Sequence, residues 1–421
     1  MRFFRPLVRR RLLSAVIVIF VLLGIMAVWL WSSGGRLDQR IAAIRAAGEP
    51  VTVADLKRPS IPPDKNADTF LRRAQPGVDA LDKQFWYQQA LGDAISQWRL
   101  SESDQRVLAA GFAAYPSVMA QLGQAADCPD YDSQLDYTLG PEELVVAFLP
   151  RIQYFRSVAR VLQARSCLLL SQGQRDEALR TCLVQLRLTR HYDKQPTLIN
   201  YLVALACRDV AVEMTNRVLR DGDVPMDLRA ELDDELAMQD KMDGAAFAFK
   251  SERTLGLANL QSLRSSWSPL NWRNVKDECD YLDIMAEVIA TASEPRYKIA
   301  NQFKRTVQRS QQVGPLTSLV TPTISATRDA PDRVQAQLRC LRVLNALQRS
   351  AARTKNSEPT LADLKLPAEA TIDPLNGKPL LVKHSPQGIT VYSVGTNLKD
   401  DDGTFDDLLD FGIGPVPEVG K

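Results

Sequence analysis

The sequence predicts a mainly α-helical protein with a single transmembrane helix at its N-terminus, an irregular α-helical array as its body, and a small α+β module, a helix plus an antiparallel hairpin, at its C-terminus. Three observations predict this. Leu12 to Trp31 carries no charge, apolar residues recur at helical spacing through most of residues 66–311, and two short β-rich runs joined by SPQG follow the last helical pattern. A chain of 421 residues exceeds the size at which one core usually keeps growing, so more than one packed unit is expected. Its 52 basic and 50 acidic side chains balance too evenly for a nucleic-acid footprint, and no nucleic-acid partner is expected.

Residues 1–11, MRFFRPLVRRR, hold five arginines and no acid. Residues 12–31 follow as the membrane helix: at about 1.5 Å per residue they span roughly 30 Å, the thickness of a bilayer's hydrocarbon core. Trp29 and Trp31 stand at its far end, where interfacial aromatics belong. A cleaved signal peptide also opens with a basic stretch and an apolar run, but this run is longer than the usual one and WSSGGRL lacks an A-x-A-like cleavage site. An uncleaved anchor is therefore expected, with the lipid bilayer as its partner. The arginines preceding it leave the N-terminus cytoplasmic and residues 32–421 outside.

Residues 32–65 read as a linker, a short amphipathic stretch and then an extended segment interrupted by Pro50, Pro59, Pro62 and Pro63. The helical domain over 66–311 is clearest in RIQYFRSVARVLQARSCLLLSQG and QRDEALRTCLVQLRLTR. In the first helix Arg151, Arg156, Arg160 and Arg165 form a solvated stripe opposite Ile152, Phe155, Ala159 and Leu162. In the second, Leu179, Cys182, Leu183 and Leu186 share one apolar face. Gly173 ends the first, so the pair should fold back as a hairpin. A third helix begins near Pro196 and should carry Ile199, Leu202, Ala206 and Val210 inward. The turn QGQRDEAL resembles that of a tetratricopeptide unit, but no second copy occurs at a period of about 34 residues, so the array is non-repetitive.

Trp267 and Trp272 flank SPLN in a loop, and residues 312–331 hold enough breakers and β-branched residues to read as a connector. The C-terminal module spans 332–421. Its helix should bury Val334, Leu338, Leu341, Leu344 and Leu347, and a β-hairpin should occupy 378–394. The six cysteines show no C-x-x-C spacing, which argues against zinc. Cys167, Cys182, Cys207 and Cys340 lie in helical patterns, where cysteine behaves as a small hydrophobe. Cys167 and Cys182, on adjacent helices, are the first disulfide pair to test.

The C-terminal order is a helix with N-A-L at 345–347, then PTLADL, IDPLNGKPLLVKH and GITVYSVGTNLKDDDGTFDDLLDF. Over about residues 333–413 it resembles the C-terminal region of type II secretion major pseudopilins. There a helix precedes a D-P-x-G-x-P turn, a small antiparallel sheet, and a Y-S-x-G loop leading into acidic residues that bind calcium. The turn DPLNGKP is one residue longer than that pattern, and the N-terminus has no prepilin cleavage site. As a whole the chain is similar to membrane-anchored bacterial proteins that join a helical body to this module. The resemblance implies a single-pass protein of the bacterial cytoplasmic membrane with its bulk in the periplasm. It also implies calcium held by the Val394 carbonyl, the Asn397 side chain, loop oxygens around Asp402, and carboxylates near Asp407 and Asp410.

Calcium takes six to eight hard oxygen ligands, which a loop of close carboxylates and carbonyls can supply. An EF-hand fails on spacing: with Gly403 sixth, positions one and twelve become Leu398 and Leu409. A solvated turn is the alternative, since like charges crowd tolerably in water.

No G-x-S-x-G, H-E-x-x-H or phosphate-cradling glycine loop occurs. His191, at a helix end, is read as capping carbonyls or facing solvent. His384 beside Ser385 lacks the geometry of a nucleophile and base. In ELDDELAMQDKMD, Asp233, Glu235 and Asp240 alternate with Leu232, Leu236 and Met242 as on a surface amphipathic helix. The expectation is a non-enzymatic scaffold or protein-binding protein with envelope proteins as partners. Its alternatives are a component of a type II secretion or pilus-like assembly with a calcium-binding loop, and an enzyme whose residues converge only in three dimensions. A deep pocket lined by polar side chains with perturbed ionisation would favour the last.

Overall fold

The computed structural model describes residues 35–265, 271–314, 317–318, 324–351, 359–406 and 409–415. The anchor over 12–31, Trp267 and Asp407 lie outside the described residues. Among those described, no helix is long and apolar enough to cross a membrane.

Helix α1, residues 35–46, opens the described chain and is fastened by Arg40, whose guanidinium lies 2.7 Å from Asp283. The proline-rich stretch that follows lies on the body. Glu49 accepts from Arg253 at 2.8 Å, and Arg58 reaches Asp130 at 2.8 Å. Asn66 then caps α2 (Ala67–Trp86), its side chain accepting from Asp68 N while its amide donates to the Asp132 carbonyl. Leu71, Ala74, Val78, Leu81 and Phe85 make the buried face of α2. After α3 (Gln89–Ser96) and α4 (Glu102–Ala114), α5 (Ser117–Asp127) packs on α2 at Gly77, where a Cβ would sit 2.4 Å from a Val118 methyl.

Helix α6 (Pro141–Ser171) starts with proline at its first turn and ends at Gln172, with Gly173 in the left-handed region at φ 71°. It pairs with α7 (Arg175–Tyr192) as the sequence predicts. Its arginines do not form a solvated stripe. Arg151 lies 2.7 Å from buried Asp68, Arg160 lies 2.5 Å from buried Asp82, and Arg165 stacks over Phe112. Of the four only Arg156 is exposed, because α2 and α4 cover that side of the helix.

Helix α8 (Leu198–Asp221) is central, packing against α6, α7, α10 (Gly244–Ser265) and α13 (Ile324–Ala351). Half of the predicted inward face holds: Leu202 and Val210 pack partly buried against the core, whereas Ile199 and Ala206 face out. Ile199, Ala206 and Glu213 are the exposed stripe, while Leu198, Tyr201, Leu205 and Val212 are buried. A helix surrounded on most sides is apolar nearly all round, so periodicity alone does not single out its wet edge. Helix α9 (Met226–Gln239) packs against α7 and α13. Helices α11 (Asn271–Thr291) and α12 (Arg296–Ser310) follow, so Trp272 begins a helix rather than ending a loop.

The expected connector over 312–331 is also corrected: α13 starts at Ile324 and runs through Pro331. Tertiary bonds hold this stretch helical. Arg328 donates to the carbonyls of Thr291, Ala292 and Glu294 at the end of α11 and lies 2.9 Å from Asp332. The predicted apolar face, Val334, Leu338, Leu341, Leu344 and Leu347, is buried. The hairpin forms from β1 (Leu381–Ser385) and β2 (Gly388–Ser393), joined in the register Ser385 to Gly388, and β3 (Phe411–Ile413) adds antiparallel to β2. Because α13 packs on α8 and α9 as well as on β2 and β3, one continuous core runs from Leu37 to Ile413. The fold is thus mainly α with a small antiparallel sheet. All six cysteines are free thiols, including Cys167 and Cys182.

Candidate functional site

Helices α7, α8 and α9 surround a cavity of about 810 Å³, floored by Asp193 and Arg208 and flanked by the Ala126–Pro129 turn and Phe247. Two helix faces of opposite sign make its walls. Arg187, Arg190 and His191 project from one side of α7, with Lys194 just beyond its end. Glu231, Asp234, Glu235, Met238 and Gln239 fall at i, i+3, i+4, i+7 and i+8 on α9. Ion pairs cross between them. Arg187 reaches Glu231 at 2.5 Å, and Arg190 reaches buried Glu235 at 3.0 Å.

The acidic run at 231–243 is therefore not a solvated face. Leu232, Leu236 and Met242 are buried as expected. Asp233 and Asp240, however, turn the other way, to Arg342 and Arg339 of α13, each at 2.8 Å. The helix carries carboxylates on both flanks because arginine-bearing helices approach it from both.

Arg208 is 2% exposed, donating from Nε to Gln239 Oε1 and from Nη2 to Asp193 Oδ2, both at 2.6 Å. The other Asp193 oxygen has no hydrogen-bond partner among the described residues. It packs on Gly244, where a Cβ would come within 3.1 Å of it, so α10 needs glycine at its first position. Burial pushes the Asp193 carboxyl up, against the opposing pull of Arg208.

His191 departs furthest from the sequence reading. It is 5% exposed, stacks on Tyr131 with centroids 6.3 Å apart, and neither ring nitrogen has a partner in hydrogen-bond geometry among the described residues. Burial, with Lys194 and Arg190 adding, lowers its pKa to about 4, while the Ala125 and Ala126 carbonyls pull weakly the other way. The ring is neutral at neutral pH. Buried polar atoms left unpaired cost about 1–3 kcal/mol each and call for an explanation, of which a missing ligand is one.

The cavity went unseen in the sequence because its residues are scattered from 58 to 247. One signal was present: basic residues at 187, 190 and 194 and acids at 231, 234 and 235 make complementary stripes on two amphipathic helices.

The C-terminal loop brings together only part of its expected ligand set. Asp410 is buried, and its Oδ2 accepts from the amides of Asp401 and Gly403 at 3.1 and 2.8 Å. Its Oδ1 has no partner among the described residues, and burial pushes its pKa up. Asn397 donates to Asp401 at 2.7 Å, so Asp401, which the sequence reading passed over, links Asn397 to Asp410. Asp402 turns outward, 82% exposed and 2.6 Å from Lys383. Val394 is held through its amide, which donates to Asp373 at 3.1 Å. Among the described residues no three acidic, histidine or cysteine side chains are arranged to hold a metal. Asp410 Oδ1 is open to a cation, but Asn397 is turned to Asp401 and Asp402 to Lys383.

The motifs that suggested the module have a common mechanical basis. Asp373 of the D-P turn accepts from Ser393 Oγ at 2.8 Å and from Val394 N, tying that turn to the Y-S-x-G loop. Gly395 lets the Leu409 carbonyl approach to where a Cβ would stand. His384 is exposed at the hairpin end.

Fold and site together define a class: a helical body with a charged, ligand-sized cavity and a small sheet on its last helix. Comparison with protein-family models, curated proteins and solved structures found no match for the chain.

Proposed function

We propose that this is a non-enzymatic binding protein of the bacterial envelope, tethered to the cytoplasmic membrane by residues 12–31, whose helical body holds a ligand or a partner's side chain in the cavity between α7, α8 and α9. The observation that carries the reading is His191: a buried, neutral imidazole beside the Ala125 and Ala126 carbonyls, with neither nitrogen in hydrogen-bond geometry among the described residues, on the wall of a cavity large enough for a small molecule. Binding is favoured over catalysis because Cys128, the nucleophile on the wall, has its thiol pushed up by burial and by Asp127, away from the reactive thiolate. Tethering would raise the local concentration of the site for envelope partners.

Native mass spectrometry of the full-length chain after exposure to a periplasmic extract tests this. The wild type should retain a bound species, and Met238→Trp, which fills the mouth from an exposed position, should retain none at an unchanged melting temperature. Equal retention by both, or none by either, ends the proposal.

A second reading, a part in a type II secretion or pilus-like assembly, is favoured by the pseudopilin-like motifs and by Asp410 Oδ1. Millimolar calcium should then raise the melting temperature of the full chain, and Asp410→Asn should abolish the rise. No rise in the wild type removes calcium from the account.

A further inference from the structure

We propose that the cavity's ligand is a cation, an alkylammonium or guanidinium group of the kind carried by a polyamine or by a lysine or arginine side chain. This rests on the binding role proposed above and adds the sign and chemistry of what is bound.

The argument starts from the charges the walls already match. Arg187 faces Glu231, Arg190 faces Glu235, Arg208 faces Asp193, and Arg58 and Lys194 share Asp130, all within 3.0 Å. Every lining cation is thus engaged by a carboxylate. Five cationic side chains meet seven acids when Asp130 is counted behind the wall, and the excess lies at Asp234 and Asp243, both exposed on the rim. A second observation is independent of these acids. His191 is more than nine-tenths buried and lines the cavity, and even with its N–H turned to the Ala125 or Ala126 carbonyl its other nitrogen is an acceptor with no donor among the described residues.

A cationic donor satisfies both features. It can sit between the rim carboxylates while an N–H reaches towards the imidazole, and Met238 and Phe247 supply apolar contact for a methylene stem. An anion would have to displace Glu231 or Glu235 from its arginine, leaving a carboxylate unpaired, or protonate a ring that Arg190 and Lys194 help to hold neutral.

Cys128 supplies the readout. It is half-buried on the cavity wall, whereas the other five cysteines are buried, so its alkylation by a neutral maleimide reports occupancy. With the full-length chain in detergent micelles, spermidine, Nα-acetyl-lysine amide and Nα-acetyl-arginine amide are compared with glutarate and Nα-acetyl-glutamine amide. A cationic probe should slow the reaction, and Asp234→Asn with Asp243→Asn should raise the concentration needed about tenfold. Protection by spermidine alone points to a free polyamine, and protection by the blocked amino acids points to a side chain of a partner. Protection by glutarate or the neutral amide alone overturns the cation while leaving a binding cavity. An unchanged concentration dependence in the double variant also overturns it. Protection by none of the probes, with no bound species retained from extract, removes the binding role itself.

Discussion

The cavity of the helical body and the acidic loop at the C-terminus both concentrate ionisable groups, and they dispose of them in opposite ways. Around the cavity, the buried and half-buried acids meet arginines from other helices, Glu231 and Glu235 from α7 and Asp193 from α8, as Asp233 and Asp240 on the far flank meet α13, while Asp234 and Asp243 stay exposed on the rim. In the loop the acids bond within the module, to backbone amides or, for Asp401 and Asp402, to the Asn397 and Lys383 side chains. Asp410 takes the amides of Asp401 and Gly403, and Asp400 accepts from Asp402 N at 3.0 Å. Long-range pairing fixes helices relative to one another and leaves a space between them. Short-range bonding fixes a turn and fills its own centre. A run of acids in sequence is therefore weaker evidence of a site than two charge stripes brought face to face.

The sharpest way to break this contrast is to remove Arg208. Its guanidinium is buried, and Arg208→Ala would strand the Asp193 carboxylate and leave Gln239 Oε1 only the 3.4 Å bond from Thr189 Oγ1 beneath the cavity. Breaking a buried pair from one side costs about 3–5 kcal/mol. Urea denaturation should show that loss, and a cost under about 1 kcal/mol would mean that water already reaches the floor of the cavity. On the other side of the comparison, Asp373 gathers three donors within the C-terminal module. Asp373→Ala removes the acceptor for Ser393 Oγ and for the amides of Val394 and Leu375. The expected destabilisation is about 2–4 kcal/mol. Since α13 belongs to both regions, unfolding should remain a single transition, and a separate early transition for 359–415 would show the module to be energetically independent.

Much of the fold was legible because local chemistry decided it. Gly173 has to adopt a positive φ where α6 ends, and the three-to-four spacing of Val334, Leu338, Leu341, Leu344 and Leu347 has one solution on a helix. SPQG closes the predicted hairpin, with Ser385 paired to Gly388. What escaped was decided by contacts distant in the chain. Pro331 stays helical because Arg328 and Asp332 are anchored on α11 and Arg296. The wet edge of α8 depends on which neighbours surround it. The cavity depends on α7 and α9 meeting at a particular register, and no spacing within either helix specifies that. In the loop the sequence singled out Asn397, Asp402 and Asp410, whereas the residue that bonds to both Asn397 and Asp410 is Asp401.

The smallest effect expected sharpens the comparison most, because it belongs to one side chain. His191 has its pKa lowered to about 4 in the fold against an ordinary value of 6.5. The folded protein therefore keeps the ring neutral over a range in which the unfolded chain protonates it. Stability from this source is complete above pH 6.5 and is lost as pH falls towards 4, where the folded state takes up the proton as well. At pH 5 the loss amounts to about 2 kcal/mol. The raised carboxyls of Asp193, Asp209 and Glu252 tilt the other way, each gaining stability as pH falls, and they remain in place when the ring is replaced. The difference between wild type and His191→Phe, which keeps an aromatic face towards Tyr131, therefore isolates the imidazole. Denaturation midpoints at pH 7 and pH 5 should show the wild type losing more than the variant. Parallel losses would mean that the ring is hydrated or paired in the native state, and the argument that His191 stands ready for a ligand would lose its footing.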